Sequence, residues 1–93
     1  MGFLSRAQID GMGFASVGEN PRLSDKASYY NCANIIIGNH VRIDDFCVLS
    51  AGVGGIEIEN YVHIAVYSLL IGKGKITMRD FSGLSSRVSL YSS

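Results

Sequence analysis

The chain has 93 residues, 47% of them hydrophobic and 17% charged, with eight Lys+Arg balancing eight Asp+Glu. That length excludes a second independent domain and allows only a thin core, and the composition excludes a disordered tail. A formal charge of zero removes the electrostatic case for nucleic acid or an anionic membrane surface as partner. No apolar run approaches the roughly 20 residues of a membrane span, and Met1–Ser5 reads as too short for a secretory leader. Cys32 and Cys47 share no metal-type spacing and read as two reduced thiols of a cytoplasmic protein.

Residues 1–16 form a first element. Leu4–Ile9 has a composition that fits one or two helical turns, and Phe3, Leu4, Ile9, Met12 and Phe14 supply an apolar face for an N-terminal cap. Nothing beyond it shows a 3.6-residue period. Eleven glycines against one proline, set among many Ile and Val, predict short strands and turns over residues 17–93.

Those residues repeat. The segments Asn34–Ser50, Gly55–Ile71 and Lys75–Tyr91 match position by position, and a weaker copy starts at Val17. Apolar marks recur every six residues: Val17, Leu23 and Tyr29; Ile37, Ile43 and Leu49; Ile58, Ile64 and Leu70; Met78, Leu84 and Leu90. Four residues after a mark stands a small or β-branched residue, as at Ala27, Ala33, Val41, Cys47, Val62, Ser68, Ser82 and Val88, with Pro21 the exception. Gly18, Gly38 or Glu59, followed by Asn39, Asn60 or Asp80, are expected to take the unusual backbone angles of the corners. Three six-residue units make one three-sided coil of about 18 residues, and stacked coils bury the apolar columns along an axis. The excess length falls at one corner, at Ser50–Gly55 and Gly72–Lys75, which suggests a binding edge. The prediction is an all-β parallel solenoid of about four coils. A β-sandwich of short strands is the alternative.

The runs Ile37-Gly-Asn-His-Val-Arg-Ile43, Ile58-Glu-Asn-Tyr-Val-His-Ile64 and Leu23-Ser-Asp-Lys-Ala-Ser-Tyr29 resemble the hexapeptide repeat of left-handed parallel β-helix acyltransferases. Ile43-Asp-Asp-Phe-Cys-Val-Leu49 and Phe81-Ser-Gly-Leu-Ser-Ser-Arg-Val-Ser-Leu-Tyr91 look most like bacterial sugar O-acetyltransferases, including those of polysaccharide biosynthesis. The resemblance implies a left-handed coil, a homotrimer with sites in the clefts between prisms, acetyl-CoA as donor and a sugar or glycoside hydroxyl as acceptor. In such enzymes a histidine takes the proton from the attacking hydroxyl, since imidazole titrates near neutral pH and an alcohol is a weak nucleophile unaided.

In the galactoside and maltose enzymes the catalytic histidine follows a strand resembling Val88-Ser-Leu-Tyr-Ser92, beyond the last residue here, Ser93. The expectation is therefore an N-terminal portion of a longer acyltransferase, without a C-terminal cap and lacking much of the acyl-CoA site. Of the two histidines present, His63 is the candidate base: it precedes inward Ile64, points outward, and has Arg42 and Gly83 as its equivalents in the neighbouring coils. A purely structural hydrogen bond is the competing role for it, and His40 reads as a turn residue. Asp44 and Asp45, on one turn with diverging side chains, and Tyr67 and Ser85, on the outward side of their coils, are candidate acceptor contacts. Two other readings stand beside this one. The chain is a non-catalytic trimeric assembly module, with Arg42, Tyr61, Tyr67, Phe81 and Arg87 as interface residues, or an inactive remnant of such an enzyme. Or it is a zinc enzyme using His63, His40 and a carboxylate across subunits, a poor fit with only two histidines.

Overall fold

The computed structural model describes residues 2–93; Met1, where the expected cap begins, lies outside them. A short helix, α1 (Arg6–Asp10), precedes four coils of three strands each. The first coil holds β1 (Ser16–Val17), β2 (Arg22–Leu23) and β3 (Ser28–Tyr30). The second holds β4 (Ile35–Ile37), β5 (Arg42–Ile43) and β6 (Val48–Ala51), and the third β7 (Ile56–Ile58), β8 (His63–Ile64) and β9 (Leu69–Gly72). The fourth holds β10 (Ile76–Met78), β11 (Gly83–Leu84) and β12 (Ser89–Ser92). Equivalent strands pair in parallel into three sheets, β1-β4-β7-β10, β2-β5-β8-β11 and β3-β6-β9-β12. The architecture is the parallel solenoid that the repeat predicts, not a sandwich.

Register follows the six-residue marks. Val17, Ile37, Ile58 and Met78 align in one column. Leu23, Ile43, Ile64 and Leu84 align in the second, and Tyr29, Leu49, Leu70 and Leu90 in the third. In the two middle coils every mark is fully buried, because each has a coil above and below it. Leu84 and Leu90 in the last coil are half-buried. The small or β-branched residues four after each mark are more mixed than expected. Val41, Cys47, Val62 and Ser68 are buried, but Ala33 is exposed. It lies in a 3-10 turn, Cys32–Asn34, where the chain leaves the prism to carry extra residues round the corner.

The corners follow the glycine and asparagine expectation only in part: Asn20 and Asn31 take left-handed angles, but aromatic residues and Arg87 do so as well. The left-handed residue is one position further on: Asn20, His40, Tyr61 and Phe81 at one corner, Phe46, Tyr67 and Arg87 at the next, with φ between 53° and 62°. Such angles cost a residue with a Cβ about 1–2 kcal/mol. What offsets that cost is stacking between coils. His40 lies 4.8 Å from Tyr61 and Tyr61 5.1 Å from Phe81, ring to ring, and Phe46 lies 5.2 Å from Tyr67. The Arg87 guanidinium covers the other face of Tyr67 at 5.0 Å. The corner amides and carboxylate act as rungs instead. Asn39 Oδ1 accepts from the Glu19 N–H at 2.7 Å, Asn60 Oδ1 from Asn39 at 2.8 Å, and Asp80 Oδ1 from Asn60 at 2.8 Å. Gly38 is needed for close approach, since a Cβ there would meet the Glu59 carbonyl oxygen at 2.6 Å.

Residues 2–16 lie against the first coil. Ser5 caps α1 through a capping box with Gln8. Ile9 enters the core with 1% of its surface exposed, and Leu4 and Phe14 pack beside it. Leu4 donates its N–H to the Leu23 carbonyl at 2.8 Å, and Phe3 bridges Ser24 antiparallel. Arg6 donates to the carbonyls of Gly18 and Val17 at 2.6 and 3.1 Å. Edge carbonyls of the first coil are thus satisfied rather than left open for another chain.

Candidate functional site

Outward positions on the sheet β2-β5-β8-β11 bring the chemistry together. Arg22, Arg42 and His63 open their two-residue strands and stand in register, one per coil, with Gly83 above them. The strands are short because each prism side admits only one inward residue there, so the residue before it faces outward. Asp44 follows inward Ile43 and is held by its own N–H donating to the Ile64 carbonyl at 3.0 Å.

That placement puts one carboxylate between two cationic or potentially cationic groups. Arg42 Nε donates to Asp44 Oδ1 at 2.8 Å, and His63 Nε2 lies 2.8 Å from Asp44 Oδ2. The Asp44 side chain is 8% exposed, that of His63 53%. Burial by itself would push the Asp44 carboxyl up, but the hydrogen bonds and charges of Arg42 and His63 outweigh it and hold the group below its ordinary value. An anionic Asp44 accepts, so the hydrogen bond is donated by His63 Nε2, and in the neutral ring the lone pair then lies on Nδ1. Phe3 lies against the far side of the cluster, with the Arg42 guanidinium 5.7 Å above its ring.

Among the residues expected from sequence, the structure therefore joins His63 and Asp44 and separates the others. The Asp44 and Asp45 side chains diverge, as expected of neighbours on a turn. Asp45 Oδ1 accepts a 2.5 Å hydrogen bond from Ser24 Oγ in the coil below. Tyr67 is a corner residue between Phe46 and Arg87. Ser85 is exposed in the last coil, and its carbonyl accepts from Ser68 Oγ at 3.0 Å. Arg22 was missed. Its signal was its place six residues before Ser28 and one coil below Arg42, in the copy of the repeat hardest to recognise.

Two surface cavities among the described residues bear on the site. One, of about 230 Å³, lies at the long-loop corner between Asn34, Val53, Gly54 and Lys75 and includes none of the expected site residues. The other, of about 210 Å³, is lined by Asn20, Arg22, His40, Val41 and Arg42. No group of three or more His, Cys, Asp or Glu among the described residues is arranged to hold a metal ion. No helix among them is long and apolar enough to cross a membrane.

The fold and the repeat define a hexapeptide-repeat β-solenoid. No protein-family profile matches the chain. Over all 93 residues it is 64% identical to an Escherichia coli protein described as dTDP-4-amino-4,6-dideoxy-D-glucose acyltransferase, covering 48% of that protein. It also superimposes on AntD, an N-acyltransferase from Bacillus cereus. A variant of AntD in complex with dTDP-4-amino-4,6-dideoxyglucose and coenzyme A matches 96% of this chain and 46% of its own, with a TM-score of 0.89 and 47% identity. AntD in complex with dTDP and 3-hydroxybutyryl-CoA matches the same shares, with a TM-score of 0.88 and 48% identity. In sequence and in fold the chain is thus similar to part of these sugar acyltransferases. It spans about half the length of the relatives it matches.

Proposed function

We propose that this chain forms part of an N-acyltransferase that moves an acyl group from coenzyme A to the amine of a dTDP-linked 4-amino-4,6-dideoxyglucose. The observation that carries the reading is the 64% identity to the E. coli acyltransferase over every residue of the chain, joined by the likeness to AntD. The amine replaces the sugar hydroxyl suggested by the repeats, because the related proteins are named for an aminosugar and for N-acyl transfer. An acyl-CoA is the donor class, supported by the coenzyme A and 3-hydroxybutyryl-CoA bound in AntD. Acetyl-CoA, the donor implied by the resemblance, is one member of that class.

In this reaction the amine nitrogen attacks the thioester carbonyl, a C–N bond forms, the C–S bond breaks, and a proton leaves nitrogen. His63 is the group here suited to take that proton. Asp44 fixes the ring through Nε2 and leaves Nδ1 unengaged by that carboxylate on a half-exposed side chain. Asp44 then serves as a positioning residue and not as an acceptor contact, since both its oxygens are engaged. Asp45, Tyr67 and Ser85 are the proposed contacts to the acceptor, with Tyr67 and Ser85 exposed and Asp45 half-buried. The protein is proposed to be a cytoplasmic homotrimer. Two unpaired thiols support that compartment, and exposed Tyr61, Phe81 and Arg87 support subunit contacts.

The test uses the protein expressed from its intact gene, with dTDP-4-amino-4,6-dideoxyglucose and either acetyl-CoA or 3-hydroxybutyryl-CoA. Release of coenzyme A thiol, with a matching mass increase on the sugar nucleotide, is the expected result. An intact trimer with no turnover on either donor would instead favour the assembly module.

A further inference from the structure

The 210 Å³ cavity beside the His63 cluster is lined by hydrogen-bond donors and one valine, with no carboxylate among its lining residues. This is unusual in a chain whose charges balance. Arg22 and Arg42 face each other across the β2–β5 ladder, a pairing of like charges that weakens a sheet. Asp44 compensates Arg42. Nothing does so for Arg22, whose exposed side chain makes no hydrogen bond or ion pair with the described residues. Across the cavity the Asn20 amide nitrogen lies 3.2 Å from His40 Nδ1. With the amide as donor, the neutral His40 ring carries its hydrogen on Nε2. The ring itself is held by stacking on Tyr61, so this donor is fixed in place.

We propose that this cavity binds the diphosphate of a nucleotide, with Arg22 as its main charged contact and Arg42, His40 and Asn20 around it. Planar guanidinium groups match the paired oxygens of a phosphate, and an anion here would relieve the repulsion between the two arginines. The choice of a nucleotide diphosphate rests on the proposed function, because dTDP-sugars and coenzyme A both carry that group. One shared chemistry therefore has two possible sources, and the ligands used in the test separate them.

Calorimetric titration of the protein expressed from its intact gene with inorganic pyrophosphate, dTDP and coenzyme A tests the site. Arg22→Gln is compared with Arg22→Lys and with Arg79→Gln, a surface change just past β10 that alters net charge equally. The expected result is that Arg22→Gln weakens pyrophosphate binding, and that of one nucleotide, by about 10- to 100-fold. Arg22→Lys should recover part of that loss and Arg79→Gln should change little. If dTDP is the nucleotide affected, the site serves the acceptor; if coenzyme A, the donor. Equal affinities in Arg22→Gln and Arg79→Gln for all three ligands would overturn the proposal. That outcome leaves acyl transfer by the native protein untouched. Conversely, pyrophosphate bound through Arg22 in a protein without acyl transfer would sink the functional reading alone.

Discussion

His63 and Asp44, nineteen residues apart in the chain, meet at 2.8 Å because one coil of the solenoid separates them. The same carboxylate takes a 2.8 Å hydrogen bond from Arg42, so the imidazole is anchored to a group that is itself anchored.

If His63 takes the proton and Asp44 positions it, the two act as a unit. His63→Asn and Asp44→Asn are each expected to lower kcat by about 10²-fold or more, within the range of general base catalysis, with little change in KM for the acyl-CoA. The double variant should lose no more than the worse single one. Steady-state kinetics of the three variants checks this, and losses that multiply would mean the residues act separately. Asp44→Asn should also alter the pH profile of kcat, which a merely structural carboxylate would leave in place.

The Asp44 carboxyl has a lower value in the folded chain than in the unfolded one. Its bridge therefore contributes fully above the unfolded carboxylate value of about 3.9, and the contribution is lost as pH falls through the folded value. Thermal unfolding of the native protein and Asp44→Asn should show the widest gap in Tm at about pH 5–7 and a shrinking gap below about pH 4. A gap that widened on acidification would contradict the assignment.

Tyr61 stacks on His40 below and Phe81 above while holding a φ of 57°. Tyr61→Ala is expected to cost about 1–3 kcal/mol through two lost ring contacts. Tyr61→Gly loses the same contacts but relieves the left-handed strain, so it should be about 1 kcal/mol more stable than Tyr61→Ala. Denaturant midpoints of the two variants decide whether stacking is what sustains the corner.

Ile64 lies in the buried column between Ile43 and Leu84, with no exposed surface. Ile64→Ala should cost about 2–5 kcal/mol, since coils above and below leave the cavity no way to collapse. Ile36, on the outer side of its strand and 40% exposed, should lose less than about 1 kcal/mol when changed to Ala. Chemical denaturation compares them directly.

Burial pushes both thiols above their ordinary value. Cys47 is wholly buried and Cys32 half-buried, so Cys47 should resist a thiol-specific reagent at neutral pH and Cys32 should react slowly. Both should react at once in guanidinium, which absorbance of the released chromophore would show.

Sequence alone determined the solenoid. The spacing of Ile37, Ile43 and Leu49 and of their counterparts states which residues face inward, because a position stacked between coils on the axis is removed from water whatever its sequence neighbours are. It also placed His63 between Arg42 and Gly83, since coil register follows from counting. Only the tertiary structure decided what the outward residues do. Asp44 turns toward His63 and Asp45 toward Ser24, a choice of rotamer and turn geometry that adjacent identical residues cannot reveal. The corners carry aromatic residues at left-handed angles where glycine and asparagine were expected, because stacking between coils outweighs the local preference of any single residue. Outward positions have no common hydropathy to read. Their roles come from contacts between coils about twenty residues apart, and those contacts exist only once the coils are stacked.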